Sequence, residues 1–311
     1  MIPFIRNENM KIYKRKRTWI MIGILVLYIF VQMVNLRGSG AVGYNEDWKT
    51  LLQYENAKLT RDLAKSDGLP IEKKAAADKL LLNQYYLDHN LPPQVNAWSF
   101  TASQAKNVIF GITILALIIA GDIVAAEFAS GTIKFLLTRS ASRTKIYIAK
   151  YTAAVLLGLF MCLIGFLASV FLGGILFGFE GIGGSYLFVK DQTVQQTGML
   201  QALVGSFVFN VPFMLLVLTF AFTISAAFRS VTFSIVFSML AAIAGFVISI
   251  AMNGWPWTKY FIFSHTDLTP YFFGTASVEG LTTGFSVIML LLHLALLHLI
   301  SYPLFVKRDV A

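Results

Sequence analysis

The sequence predicts an all-α polytopic membrane protein with six transmembrane helices, an N-terminal cytoplasmic surface helix and an extracellular helical hairpin between spans 1 and 2. Three observations carry that prediction. The 311 residues are 57% hydrophobic and 13% charged, with a mean hydropathy of +0.68, whereas soluble domains carry about a quarter charged residues. Six apolar runs come near the ~20 residues that cross a bilayer as a helix: Trp19–Leu36, Val108–Ala126, Ile146–Phe179, Met199–Phe228, Val231–Met252 and Leu281–Val306. Lysine and arginine gather in alternate connections, the pattern left by retention of cations on the cytoplasmic side.

Residues 1–17 form the first element, a cytoplasmic amphipathic surface helix. Phe4, Ile5, Ile12 and Tyr13 recur at helical spacing among Arg6, Lys11, Lys14, Arg15, Lys16 and Arg17, a composition suited to a lipid surface. It feeds directly into transmembrane helix 1, residues 18–36. The apolar core of that run exceeds the ~7–15 residues of a secretory signal, which favours an uncleaved anchor. The extracellular segment 37–105 balances eight cations with eight acids. It reads as two helices, near Asp47–Lys65 and Ile71–Asp88, broken at "SDGLP", where Gly68 stops one helix and Pro70 opens the next. The hairpin is either a lid or contact site, or a solvated insertion.

The remaining five spans occupy 106–311, with a cytoplasmic segment at 127–145. The third and fourth runs exceed one span and either tilt or project. Pro212 lies within the fourth and should kink it. Gly-rich Phe171–Ser185 permits close helix packing or a re-entrant turn. The aromatic stretch after Asn253 lies at the outer interface or dips back as short helices. Cys162 is the single cysteine and reads as a small apolar side chain packed between helices.

Basic residues fall at the N-terminus, in the second-to-third connection (Lys134, Arg139, Arg143, Lys145, Lys150), at Arg229 and at Lys307 and Arg308. All belong to one side of a six-span chain, so both termini are expected in the cytoplasm and the net charge of +9 is a property of the inner face. Its partners there are membrane lipids. No soluble domain carries a basic patch, so no nucleic acid is expected.

Catalytic chemistry finds little support. His293 and His298 are five apart on one helix, roughly 140° around it, a poor metal pair. Ser185 in "GGSY" has no activating neighbour in sequence, and there is no phosphate-binding Gly-Lys-Ser/Thr loop. The acids in the spans are Asp122 and, at the inner end of the same run, Glu127. Such groups line a pathway or pair with a cation. The expected cation is a Lys or Arg of the basic connection.

One stretch carries a family resemblance. "EFASGTIKFLLTRSASRTKIYIAKY" resembles the cytoplasmic segment of ABC-2 type transporter permeases, in which a Glu and a Gly-Thr pair precede an apolar turn, then Ser-Arg and a Lys where the third span begins. The six spans, the basic surface helix and the late "WTKYFIFSHTDLTPYFFG" are similar to that family too, whereas the long segment after span 1 departs from its compact members. The resemblance implies a coupling element docked on a separate cytoplasmic ABC ATPase subunit, with Glu127, Phe128, Gly131, Thr132, Phe135, Leu136, Arg139, Ser142, Arg143 and Lys145 as the coupling residues. Phe128, Thr132, Phe135 and Leu136 repeat at i, i+4, i+7 and i+8, which gives an apolar face.

The implied function is the permease subunit of a bacterial exporter of hydrophobic or amphipathic cargo, such as a peptide antibiotic or a lipid-like molecule. It would work with a second permease subunit, as a homo- or heterodimer. This chain would hold no cofactor or metal and would not itself be an enzyme; ATP and Mg would sit on the partner ATPase. The rival reading is an ATPase-coupled, non-transporting module that regulates a cell-envelope partner through its external hairpin.

Overall fold

The computed structural model describes residues 1–38, 48–64, 70–131, 142–252, 255–273 and 281–307. Its helices are α1 Ile2–Tyr13, α2 Lys16–Gly38, α3 Trp48–Ala64, α4 Pro70–Asp88, α5 Ala97–Ala129 and α6 Arg143–Phe177. Strands β1 Ser185–Lys190 and β2 Thr193–Gly198 follow, then α7 Met199–Val208, α8 Val211–Phe228, α9 Val231–Ala251, two 3-10 turns, the short α10 Thr269–Phe272, and α11 Thr283–Val306. Among the described residues six helices, with α7 and α8 taken as one crossing, are long and apolar enough to span a membrane. The chain is a multi-pass membrane protein.

α5 is the central post. In its most apolar window 72% of residues are buried, against 17% for α2 and for α11, and it packs most extensively on α6 and α8. Small residues let these helices close up. A side chain on Gly121 would bring its Cβ within 2.8 Å of Ser234 Oγ. Ser225 Oγ donates to the Gly121 carbonyl at 2.6 Å and accepts from the Ala125 N–H at 3.0 Å. Thus α5, α8 and α9 are joined by serines whose hydroxyls find backbone partners where water is absent. Outer faces, such as Phe233, Phe237, Leu240 and Val247 of α9, are exposed and apolar, the pattern of helices solvated by lipid.

Several expectations are refined. α5 begins at Ala97, inside the segment assigned to the hairpin, because Asn96 caps it: its side chain accepts from Trp98 N and Ser99 N at 3.1 and 2.9 Å while Ser99 Oγ accepts from Asn96 N at 3.0 Å, a reciprocal capping box. At 33 residues α5 is about 50 Å long, so it projects past a hydrocarbon layer of about 30 Å. The fourth run is not one kinked helix. It breaks at Phe209-Asn210, and Pro212 stands in the first turn of α8, where its missing N–H costs nothing. The surface helix ends at Tyr13 rather than running into span 1.

The connection 181–198, which carried no strand expectation, holds an antiparallel hairpin pairing Val189 with Val194. Its turn residues Asp191 and Gln192 both have positive φ, 48° and 59°, the conformation that a two-residue hairpin requires. An otherwise all-α chain therefore carries one small sheet among its described residues.

α1 and the end of α11 lie at one end of the bundle: α1 packs on α6, and Arg143 Nη1, at the start of α6, donates to the Val306 carbonyl at the end of α11, at 2.9 Å. The opposite end holds β1–β2 and residues 255–273, short helices as one of the two readings had it. α4 packs on both strands. α3 and α4 form the expected helical hairpin, held by Leu52 and by Asn83, which donates to Glu55 and Asn56 at 2.9 and 3.0 Å.

Candidate functional site

The densest charge cluster lies at the terminal end, where α1 meets α5 and α6. Glu8 and Lys11 stand three apart and so share a face of α1; Glu127 is in the last turn of α5, and Lys150 is two turns into α6. Lys150 has no exposed surface. Its Nζ is 2.9 Å from Glu8 Oε2, 2.6 Å from Glu127 Oε2 and 3.1 Å from the Ile123 carbonyl oxygen. Lys11 Nζ bridges the same two carboxylates, 2.7 Å from Glu8 Oε1 and 2.8 Å from Glu127 Oε1. Two acids and two bases make a neutral square, the condition under which charges persist away from water.

A second clamp adjoins it. Asp122, one turn before Glu127 on α5, accepts from Arg15 and Arg17 at the α1–α2 elbow. The elbow is closed by side chains that satisfy the last carbonyls of α1: Thr18 Oγ1 donates to Ile12 O at 2.7 Å and Trp19 Nε1 to Tyr13 O at 2.9 Å. Ile12 is buried, and the Tyr13 ring meets Phe160 edge-on at 5.6 Å. The buried stripe of α1 is thus Glu8 and Ile12, whereas Phe4, expected on the apolar face, is 36% exposed. Between the helices lies a cavity of about 10 Å³ lined by Glu8, Lys11, Arg15, Ile119 and Glu127. That is room for about one water, far too little for cargo.

The electrostatics follow from the geometry. Burial raises the pKa of the Glu8 carboxyl, but Lys150 and Lys11 outweigh it and hold the group below 4.5. For Lys11 burial acts downward and is outweighed by the bonds to Glu127 and Glu8, which leave the ammonium above 10.5.

The expected coupling residues separate into three sets. Thr132, Phe135, Leu136 and Arg139 lie outside the described residues. Glu127, Phe128 and Gly131 close α5: Glu127 faces inward to α1 and α6, Phe128 has the Arg229 guanidinium 4.1 Å above its ring, and Gly131 adopts φ +69°, the left-handed step that ends a helix and that only glycine takes without strain. Ser142, Arg143 and Lys145 open α6: Ser142 caps it by accepting from Lys145 N at 3.4 Å, and Arg143 is engaged with Val306. The segment 127–145 therefore includes the ends of two spans.

Asp122 and Glu127 do pair with cations. Among the described residues their partners are Lys150, which belongs to the basic stretch but sits within α6, and Lys11, Arg15 and Arg17 of the N-terminal segment. Sequence reasoning missed Glu8, the one acid among the cations of residues 1–17. It also missed an intramembrane cluster in which Tyr147 Oη is 2.7 Å from His298 Nδ1 and 2.6 Å from Ser301 Oγ. His293 instead faces the Met289 carbonyl of its own helix at 2.7 Å. Cys162 is buried with Sγ 3.7 Å from Met214 Sδ, as packing between helices required. Among the described residues no three His, Cys, Asp or Glu side chains come together as a metal site.

The chain resembles bacterial proteins. It is 35% identical over 318 aligned positions to the uncharacterized protein YhcI of Bacillus subtilis (strain 168), with all of both chains covered. It is 28% identical over 206 positions to the uncharacterized membrane protein YdbK of the same organism, covering 63% of this chain and 76% of YdbK. Residues 74–311 match the profile of the family described as "Protein of unknown function (DUF2705)". With most of its length inside that profile, the chain belongs to the DUF2705 family.

Proposed function

We propose that this protein is the membrane permease subunit of an ATP-driven exporter of the ABC-2 type in a bacterial plasma membrane, with both termini cytoplasmic. The observation that carries the reading is the ionic junction. It unites α1, the end of α5 and the start of α6, the latter two helices joined by residues 132–141, which hold four of the ten coupling residues. A push on that connection by a separate ATPase would move three helices together. Rigid elements with two packed arrangements are how such a push reaches a distant site. Cargo in this reading is hydrophobic or amphipathic and is handled between two permease subunits.

The test is recovery of the full-length protein from its native host in mild detergent through a C-terminal tag. A Walker-motif ATPase should accompany it and be lost when Phe135→Asp and Leu136→Asp are introduced. Absence of any ATPase, under conditions that preserve other membrane complexes, sinks the proposal.

A second reading draws on the opposite end, where α4 packs on the β1–β2 sheet and α3 presents exposed Leu51 and Tyr54. There the same ATPase-coupled machinery would act on a cell-envelope partner. A stable partner bound to α3–α4, with no ATP-dependent flux of any cargo, favours it.

A further inference from the structure

His265 lies in the connection between α9 and α11 and has no exposed surface. Both ring nitrogens are engaged. Nε2 is 3.0 Å from the Lys259 carbonyl oxygen, and Nδ1 is 2.9 Å from Ser286 Oγ in the first turn of α11. Tyr271 Oη, on α10, approaches the same Ser286 Oγ at 2.7 Å. A carbonyl oxygen only accepts, so Nε2 carries a hydrogen. In the neutral ring Nδ1 must then accept from the Ser286 hydroxyl, which in turn accepts from Tyr271. The direction of each bond in the chain follows from that one carbonyl.

A second proton would turn Nδ1 from acceptor to donor against a hydroxyl already donating to it. It would also place a charge that, among the described residues, no acid balances. The Phe285 ring lies 5.8 Å from the imidazole, and Phe263, two residues before His265, packs over Gly245 of α9, where a Cβ would meet its ring at 2.2 Å. Among the described residues the nearest acid in sequence, Asp267, is paired with Lys106 of α5 at 2.7 Å and also accepts from Thr269 N at 3.0 Å. α11 contributes another base, His293; the 3-10 turn contributes Lys259, over the Tyr260 ring; α10 contributes Tyr271; and α9 has no ionisable residue.

We propose that His265 is a proton-operated catch: neutral, it fastens the connection 255–273 to α11, and protonated, it releases it. Burial lowers the pKa of the imidazole from 6.5; the Lys259 carbonyl opposes that shift in part, and His293 reinforces it. The fastened state binds a proton less readily than the released state. The catch therefore holds above the ordinary histidine range of about 6.5 and gives way as the pH falls below it. The ligand is the proton itself, sensed at the end of the bundle opposite the termini. Nothing in this depends on an ATPase, so the catch stands or falls separately from the exporter reading.

The test is hydrogen–deuterium exchange of the full-length protein in lipid nanodiscs between about pH 8 and pH 5, corrected for the intrinsic rate. Exchange across 255–273 should rise severalfold at the acid end, while α5 and α8 stay protected. His265→Gln, which keeps a donor and an acceptor but does not titrate, should remain protected throughout. Ser286→Ala, which retains the histidine but removes its partner, should exchange rapidly at both ends of the range. Unchanged protection of the wild type on acidification overturns the proposal. So does an acid response that persists in His265→Gln and disappears in His293→Gln or Asp267→Asn.

Discussion

Lys150 of α6 holds its ammonium 2.9 Å from the carboxylate of Glu8, 142 positions earlier in the chain, and has no exposed surface. Glu127 stands 2.6 Å from the same ammonium. Because the square formed with Lys11 is neutral, breaking one corner is worse than removing opposite charges together. Lys150→Met leaves two buried acids with one base and should destabilise by about 3–5 kcal/mol, the cost of an uncompensated buried charge. The double variant Glu8→Leu, Lys150→Met leaves one acid and one base and should lose less. Thermal unfolding of the four proteins of that cycle decides the matter: additive losses would mean that Glu8 and Lys150 do not interact.

The same square sets a pH window for docking of α1. Glu8 is held below 4.5, so its stabilisation is present above that value and fades as the pH falls through the folded-state pKa. Lys11 is held above 10.5, so its stabilisation is present below that value and fades as the pH rises through the folded-state pKa. Limited proteolysis within residues 1–17 should be slow across the interval and accelerate beyond each edge. Glu8→Gln should remove the acid edge.

Asp122 should behave differently. Its carboxylate is buried, but the Arg15 and Arg17 side chains are 40% and 39% exposed, so solvent and salt screen the pair. Asp122→Asn should cost about 1 kcal/mol or less and chiefly loosen the elbow. Raising the salt concentration should narrow the difference from wild type in the same proteolysis assay. A salt-independent loss comparable to that of Lys150→Met would contradict this.

Gly121 is sterically committed. A Cβ there would lie 2.8 Å from Ser234 Oγ and 3.1 Å from its Cβ, both part of the α9 helix rather than a flexible tip. Gly121→Ala should destabilise by about 1–3 kcal/mol through overpacking, read by thermal unfolding in detergent. Adding Ser234→Gly should recover part of the loss; no recovery would place the strain elsewhere.

Much of the architecture is written locally. Apolar runs of the right length define spans because lipid leaves a helix as the way to satisfy its own backbone, and Pro70 opens α4 as its place in the sequence predicts. Lys150 was legible in principle as well, as a cation four residues inside an apolar run that starts at Ile146, which is a functional or paired residue by default. The strands were harder to read. "SYLFVKDQTVQQTG" lacks the Asn-Gly or Asp-Gly turn that announces a hairpin, and its Asp191 and Gln192 take positive φ under the constraint of the flanking pairs. Pro212 misled for a related reason. The same residue kinks a helix from its middle or begins one from its first turn, and only the break at Asn210 decides between them.

Charge totals and hydropathy read the composition of each end of the bundle, and from them follow the membrane class, the six crossings and the clustering of cations near the termini. Which acid meets which base is a different kind of quantity. Glu8 meets Lys150, and Asp122 meets Arg15 and Arg17, through the rotation and axial offset of α1, α5 and α6. Those are set by small-residue contacts such as Gly121 against Ser234 and by the burial of Ile12, spread over the whole bundle. Window-based periodicity reports which face of a helix is apolar; it carries no information about the height at which that face meets its neighbour. Ion pairs of about 3 Å reach depend on that height to within a fraction of a helical turn, so only the assembled tertiary packing decides them.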